Sequence, residues 1–186
     1  MRKCIVPFVF LMTSIMAVSG QTLVNPSFED PADASDIAKG WNRWGDWINR
    51  ETGWTPVKDG ACIIGYHHWQ IEKSDNSGLW QEVKVTPGKK YAFSIYANDD
   101  RSGKDSKDAE SVELRLETTV NGQQSTVASK VYKVTDLATG GDWSQLKVEA
   151  TAPNDTLRVL VVVQPDKNGP RGGAVKFDQA ELKSSP

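Results

Sequence analysis

Four tryptophans, Trp41, Trp44, Trp47 and Trp54, fall within fourteen residues, and Arg43, Asp46 and Asn49 stand among them. Tyr66, His68 and Trp69 follow shortly after. An indole offers a flat apolar face, while guanidinium, amide and imidazole groups offer hydrogen bonds of defined geometry. Side by side they suit a ligand with apolar ring faces and many hydroxyls, which is the chemistry of a sugar. Trp44, Trp47, Trp54 and Trp69 cannot all fit a small core, so part of this set is expected on a binding surface. A second set has the same make-up: Tyr96 and Asn98, Glu113 and Arg115, and Gln164. Each alternates with core residues, so they share one sheet face if their strands are neighbours. Trp80 has the parity opposite to Val83 and Val85, which turns it away from the core.

Catalytic patterns are not evident. Hydrolysis of a glycoside needs two carboxylates facing one bond across a cleft. Glu113 and Glu117 share a strand face with Arg115 between them, which reads as a solvated or ligand-contacting face. No nucleophile elbow, zinc motif or phosphate loop occurs. Tyr66, His68, Arg43 and Arg115 could imitate the His, Tyr and basic residues of a lyase, but no spacing demands it. His67 and His68 point to opposite faces in an extended chain and make no metal site by themselves. Trp41 and Trp143 read as packing residues, and Cys62 as a buried thiol.

The elements that must carry these residues are strands. Leu79, Gln81, Val83 and Val85 alternate with Trp80, Glu82 and Lys84. Tyr91, Phe93, Ile95 and Ala97 alternate with Ala92, Ser94, Tyr96 and Asn98. Period-two alternation marks a strand with one face in the core. Pro87-Gly88 lies between the two runs, and the pair predicts an antiparallel hairpin at the centre of a sheet. Val112, Leu114 and Leu116 alternate with charged residues, and Asn121-Gly122 predicts a second hairpin. Residues 30–39 and 99–110 are polar and read as loops; the second fails the calcium-loop pattern. About ten strands at short spacing, with no convincing helix, predict an all-β antiparallel β-sandwich of the jelly-roll type.

The chain has 186 residues, enough for one domain with a core. Its net charge of −2 argues against nucleic acid and anionic membrane as partners. Arg2 and Lys3 precede an apolar run from Ile5 to Val18 that is too short for a transmembrane span. Residues 1–20 therefore read as a signal peptide and 21–186 as the mature domain, secreted or periplasmic. Cys4 precedes the apolar run, so a lipid anchor is not expected. After cleavage Cys62 is the only cysteine, which excludes an internal disulfide.

Several landmarks stand in one order: LVNPSFE at 23–29, GW at 40–41, SGLWQEVKVTPGKKYAFSIYA at 77–97, Trp143, AP at 152–153, LRVLVVV at 157–163 and KFDQAEL at 176–182. This set resembles the CenC-type carbohydrate-binding modules, jelly-roll modules of families 4, 9, 16 and 22 attached to cellulases and xylanases. The resemblance covers nearly the whole mature chain. It implies non-catalytic binding of a polysaccharide or oligosaccharide, with an extracellular enzyme or surface assembly as a further partner. It also implies a structural calcium ion held by Glu29 and Asp178, joining the two ends of the chain through hard oxygen ligands. The family often shows Asp-Asp where this chain has Asp178-Gln179. Two other classes stay open: a structural or adhesion domain with the same fold, and a small jelly-roll glycoside hydrolase or polysaccharide lyase.

Overall fold

The computed structural model describes residues 23–32, 35–68, 75–101, 109–167 and 174–184. Trp69, the signal segment and most of the polar 99–110 stretch lie outside the described residues. Twelve strands are present among them. β1 (Pro31–Ala32) and β2 (Ser35–Ala38) form a short ribbon where the polar composition had suggested only a loop. β4 (Ile48–Thr52), β5 (Cys62–Tyr66), β7 (Lys90–Asp100), β10 (Ser144–Thr151) and β12 (Ala174–Ser184) build one sheet in the order β10-β7-β12-β5-β4. β3 (Asn42–Trp44), β6 (Ser77–Lys84), β8 (Ala109–Val120), β9 (Gln123–Lys133) and β11 (Thr156–Pro165) build the other in the order β3-β6-β11-β8-β9. They are called the β7 sheet and the β11 sheet below.

Every pairing is antiparallel, and the two sheets stack into a β-sandwich. Phe93, Ile95, Ile64, Tyr66 and Phe177 come from the β7 sheet; Leu79, Leu114, Leu116, Val159 and Val161 come from the β11 sheet. All of them are fully buried in one cluster, as their period-two spacing predicts. Trp41 is buried against Phe28, with ring centres 5.2 Å apart.

The two turns behave differently. Asn121 and Gly122 both have positive φ, 52° and 78°, and join β8 to β9 as a hairpin. Pro87-Gly88 makes no hairpin. β6 pairs with β3 and β11, whereas β7 pairs with β10 and β12 in the opposite sheet. The turn is a corner that carries the chain across the sandwich. It is tied to the next crossing by Gly88 N–H donating to Ala152 O at 2.8 Å and Ala152 N–H donating to Lys89 O at 2.9 Å. Turn chemistry is the same for a hairpin and a corner; which one forms depends on where more distant strands bury their apolar faces.

Candidate functional site

The outward face of the β11 sheet carries two of the indoles, Trp44 and Trp80. The registers set its side chains in three rows across the strands. Trp44, Gly78, Val162, Glu113 and Val131 form one row. Asn42, Trp80, Leu160, Arg115 and Ser129 form the next. Glu82, Arg158, Glu117 and Thr126 form the third. Each row exists because residues of one parity point to one face.

The face is shaped as a trough. Leu160 and Val162, at its centre, are only 6% and 2% exposed although they point away from the core. Half-exposed Trp44 and Trp80 flank this apolar floor on one side. Trp44 can lie against β6 because residue 78 is glycine: a Cβ there would stand 2.2 Å from Trp44 Cη2. Its Nε1–H donates to Asn76 Oδ1 at 2.8 Å. Trp80 is held by the Arg158 guanidinium, 4.0 Å from its ring centre. Arg158 also lies 3.6 Å from a Glu82 oxygen.

A charged cluster forms the other flank. Arg115 Nη2 and Nε donate to the two oxygens of Glu113 at 2.7 and 3.1 Å, and Nη1 donates to Glu117 at 3.2 Å. The hydrogen bonds from Arg115 hold the Glu113 carboxyl below its ordinary pKa. A glycosidase acid needs the opposite shift, so this pair is not arranged for general acid chemistry. It presents fixed acceptors and a planar donor, which suits hydroxyl recognition.

The residues singled out in the sequence scatter more widely than expected. Trp44 and Arg115 belong to the trough. Gln164 shares its outward parity at the end of β11, opposite Ser111. Trp47, Tyr66 and His68 do not reach a surface. All three are buried, and the Trp47 and His68 rings lie 4.7 Å apart, so none can stack on an external ligand. Arg43 sits opposite Leu79 on the inward side of β3 and donates to Ile48 O at 2.9 Å and to Asn49 Oδ1. It packs the β3–β4 connection instead of lining the trough.

Tyr96 and Asn98 correct the second expectation. They point outward from the β7 sheet, so they lie on the opposite side of the sandwich from Glu113, Arg115 and Gln164. Asn98 is buried and its amide nitrogen donates to Gly140 O and Asp142 O at 3.1 and 2.7 Å, which fixes a turn. Trp54 covers the same sheet. Its ring lies against Gly65 and beside Lys176, whose buried ammonium pairs with Asp100 at 2.6 Å. Trp54 thus helps to cover the buried Lys176 side chain, whose partner Asp100 stays half-exposed.

Glu29 and Asp178 do join the first segment to the last strand, through the loop at 58–62. Glu29 Oε1 accepts the N–H groups of Ala61 and Cys62 at 3.0 and 2.9 Å. Asp178 Oδ2 accepts those of Lys58 and Asp59 at 2.8 and 2.9 Å, and Oδ1 that of Gln179 at 2.6 Å. Burial raises the Asp178 pKa, opposed by these bonds. The carbonyls of Phe28 and Glu29 take the Arg50 guanidinium at 2.7 and 2.6 Å. Among the described residues no group of three His, Cys, Asp or Glu could hold a metal ion. The N–H donors thus engage Glu29 Oε1 and both Asp178 oxygens.

Trp80, Arg158, Leu160 and Val162 were absent from the expected contact set. The outward parity of Trp80 was the available signal. The Val-rich β11 run gave none, because a strand covered on both faces and one with an outward apolar floor share the same composition.

No protein-family model matches the chain, and no curated protein matches its sequence. Solved structures do resemble it. The TmCBM61 module in complex with β-1,4-galactotriose has a TM-score of 0.58 at 16% identity, covering 87% of this chain and 96% of that one. The CBM22-1 xylan-binding domain of Xyn10C from Paenibacillus barcinonensis gives 0.56 at 16% identity, covering 89% and 95%. A Stig cyclase, Fisc, from Fischerella sp. TAU gives 0.60 at 16% identity, covering 90% and 99%. At such identities the likeness shows the fold: an antiparallel jelly-roll sandwich shared by carbohydrate-binding modules and by cyclases.

Proposed function

We propose that this protein is an exported, non-catalytic carbohydrate-binding domain that holds a polysaccharide along the trough of the β11 sheet. The observation that carries this reading is the placement of Trp44 and Trp80 on one outward face, beside an apolar floor and the Glu113–Arg115–Glu117 cluster. Sugar C–H faces pack on the indoles, and hydroxyls meet the charged cluster. The galactotriose- and xylan-binding neighbours support a neutral glycan.

The test is binding of the mature domain to neutral polysaccharides, read by tryptophan fluorescence. Saturable binding that is lost in Trp80→Ala supports the reading; full binding in that variant moves the site elsewhere. The cyclase likeness favours a second reading, an enzyme using the same fold. Product formation from the bound glycan would replace the module with that enzyme.

A further inference from the structure

The other side of the sandwich holds a cavity that the trough does not use. It measures about 420 Å³ and opens on the outward face of the β7 sheet. This lies within the ~300–1,000 Å³ of small-molecule sites. Tyr96 lies in its wall, with Gln145 directly opposite on β10, and Ser94 lies two residues along β7. Ser27 and Gln179 complete the wall.

The wall is built by a defect in β12. The register of β12 against β7 shifts between Asp178 and Glu181, and Gln179 has a positive φ of 51°. Such a bulge turns a side chain out of the ladder. It is pinned at both sides: Gln179 N–H donates to Asp178 Oδ1 at 2.6 Å, and Ala180 N–H donates to Pro26 O at 2.8 Å. The backbone of this wall is therefore fixed before any ligand arrives.

Its chemistry is selective. The lining offers hydroxyls from Ser27 and Ser94, a phenol from Tyr96 and carboxamides from Gln145 and Gln179. Glu181 and Lys183, also in the lining, pair with each other at 2.6 Å and cancel in charge. The Lys58 ammonium stands 4.5 Å from the Tyr96 ring centre and the Ser27 hydroxyl donates to Asp59 Oδ2 at 2.8 Å, so recognition falls to the Gln145 and Gln179 carboxamides and the Tyr96 phenol, donors and acceptors that fit a neutral polyol of one or two rings. We infer that this pocket is a second saccharide site, which takes the terminal residue of a neutral sugar chain end-on. The two sites face away from each other, so one molecule would hold a polysaccharide along one side and a chain end on the other.

The site is tested by titrating the isotope-labelled mature domain with neutral monosaccharides and following the side-chain amide signals of Gln145 and Gln179. Saturable shifts of both signals by at least one sugar are expected, and they persist in Trp80→Ala. Gln145→Ala and Gln179→Gly should each weaken that binding about ten-fold, as for one or two lost hydrogen bonds. The glycine accepts the positive φ, so this variant keeps the fold. Unchanged amide signals with every neutral sugar would overturn the proposal. So would shifts that survive in both variants. Loss of polysaccharide binding in Trp80→Ala bears only on the trough, so the two readings fail separately.

Discussion

The Arg158 guanidinium lies over one face of the Trp80 ring at 4.0 Å, and the two residues sit in adjacent rows of the same sheet face. The contact covers one face of the indole. It also orients the ring before binding, which lowers the entropy that binding must overcome. Arg158→Ala is expected to weaken polysaccharide binding by about 1 kcal/mol, roughly five-fold. In the Trp80→Ala background it should change little, because the contact is already gone. Calorimetry on both singles and the double tests this.

Trp80→Ala should cost about 2 kcal/mol of binding, ~30-fold, with the thermal midpoint little changed. Trp47→Ala behaves oppositely. It hollows the core, lowers stability by about 3–5 kcal/mol and leaves the trough residues in place. Paired melting and binding measurements separate the two kinds of tryptophan.

The Glu113 carboxyl titrates below its ordinary value because Arg115 donates to it. A depressed carboxylate contributes stability that is complete above its unfolded pKa and lost as pH falls through the folded one. Wild type should therefore exceed Glu113→Gln in thermal midpoint at neutral pH. The gap should narrow below the ordinary carboxylate pKa of about 4.5 and close at still lower pH. A gap that widened in acid would contradict the ion pair.

Arg50 occupies the carbonyls of Phe28 and Glu29, and its Nη2 also reaches Cys62 Sγ at 2.7 Å. Chelator should leave the thermal midpoint unchanged. Arg50→Ala should lower it by ~4–8 °C, from about 2 kcal/mol of lost charge-assisted hydrogen bonds. Melting curves with and without chelator decide between the arginine and a metal.

The sequence by itself determined the strands and the parity within each. Alternation at Tyr91 to Asn98 and at Val112 to Glu117 separates core from outward residues without any tertiary information, because successive side chains point to opposite faces. Asn121-Gly122 likewise sets its own hairpin, since both residues tolerate positive φ. Which outward faces coincide is a different question. Tyr96 and Arg115 have equivalent parity, yet they lie on opposite sides of the sandwich. Trp44 and Trp80 are thirty-six positions apart and share one face. That assignment depends on the Pro87-Gly88 corner and on β11, which arrives between β6 and β8 from far along the chain. Only the packed structure decides it, because strand partners are chosen by the joint burial of apolar faces distant in sequence, which no local pattern records.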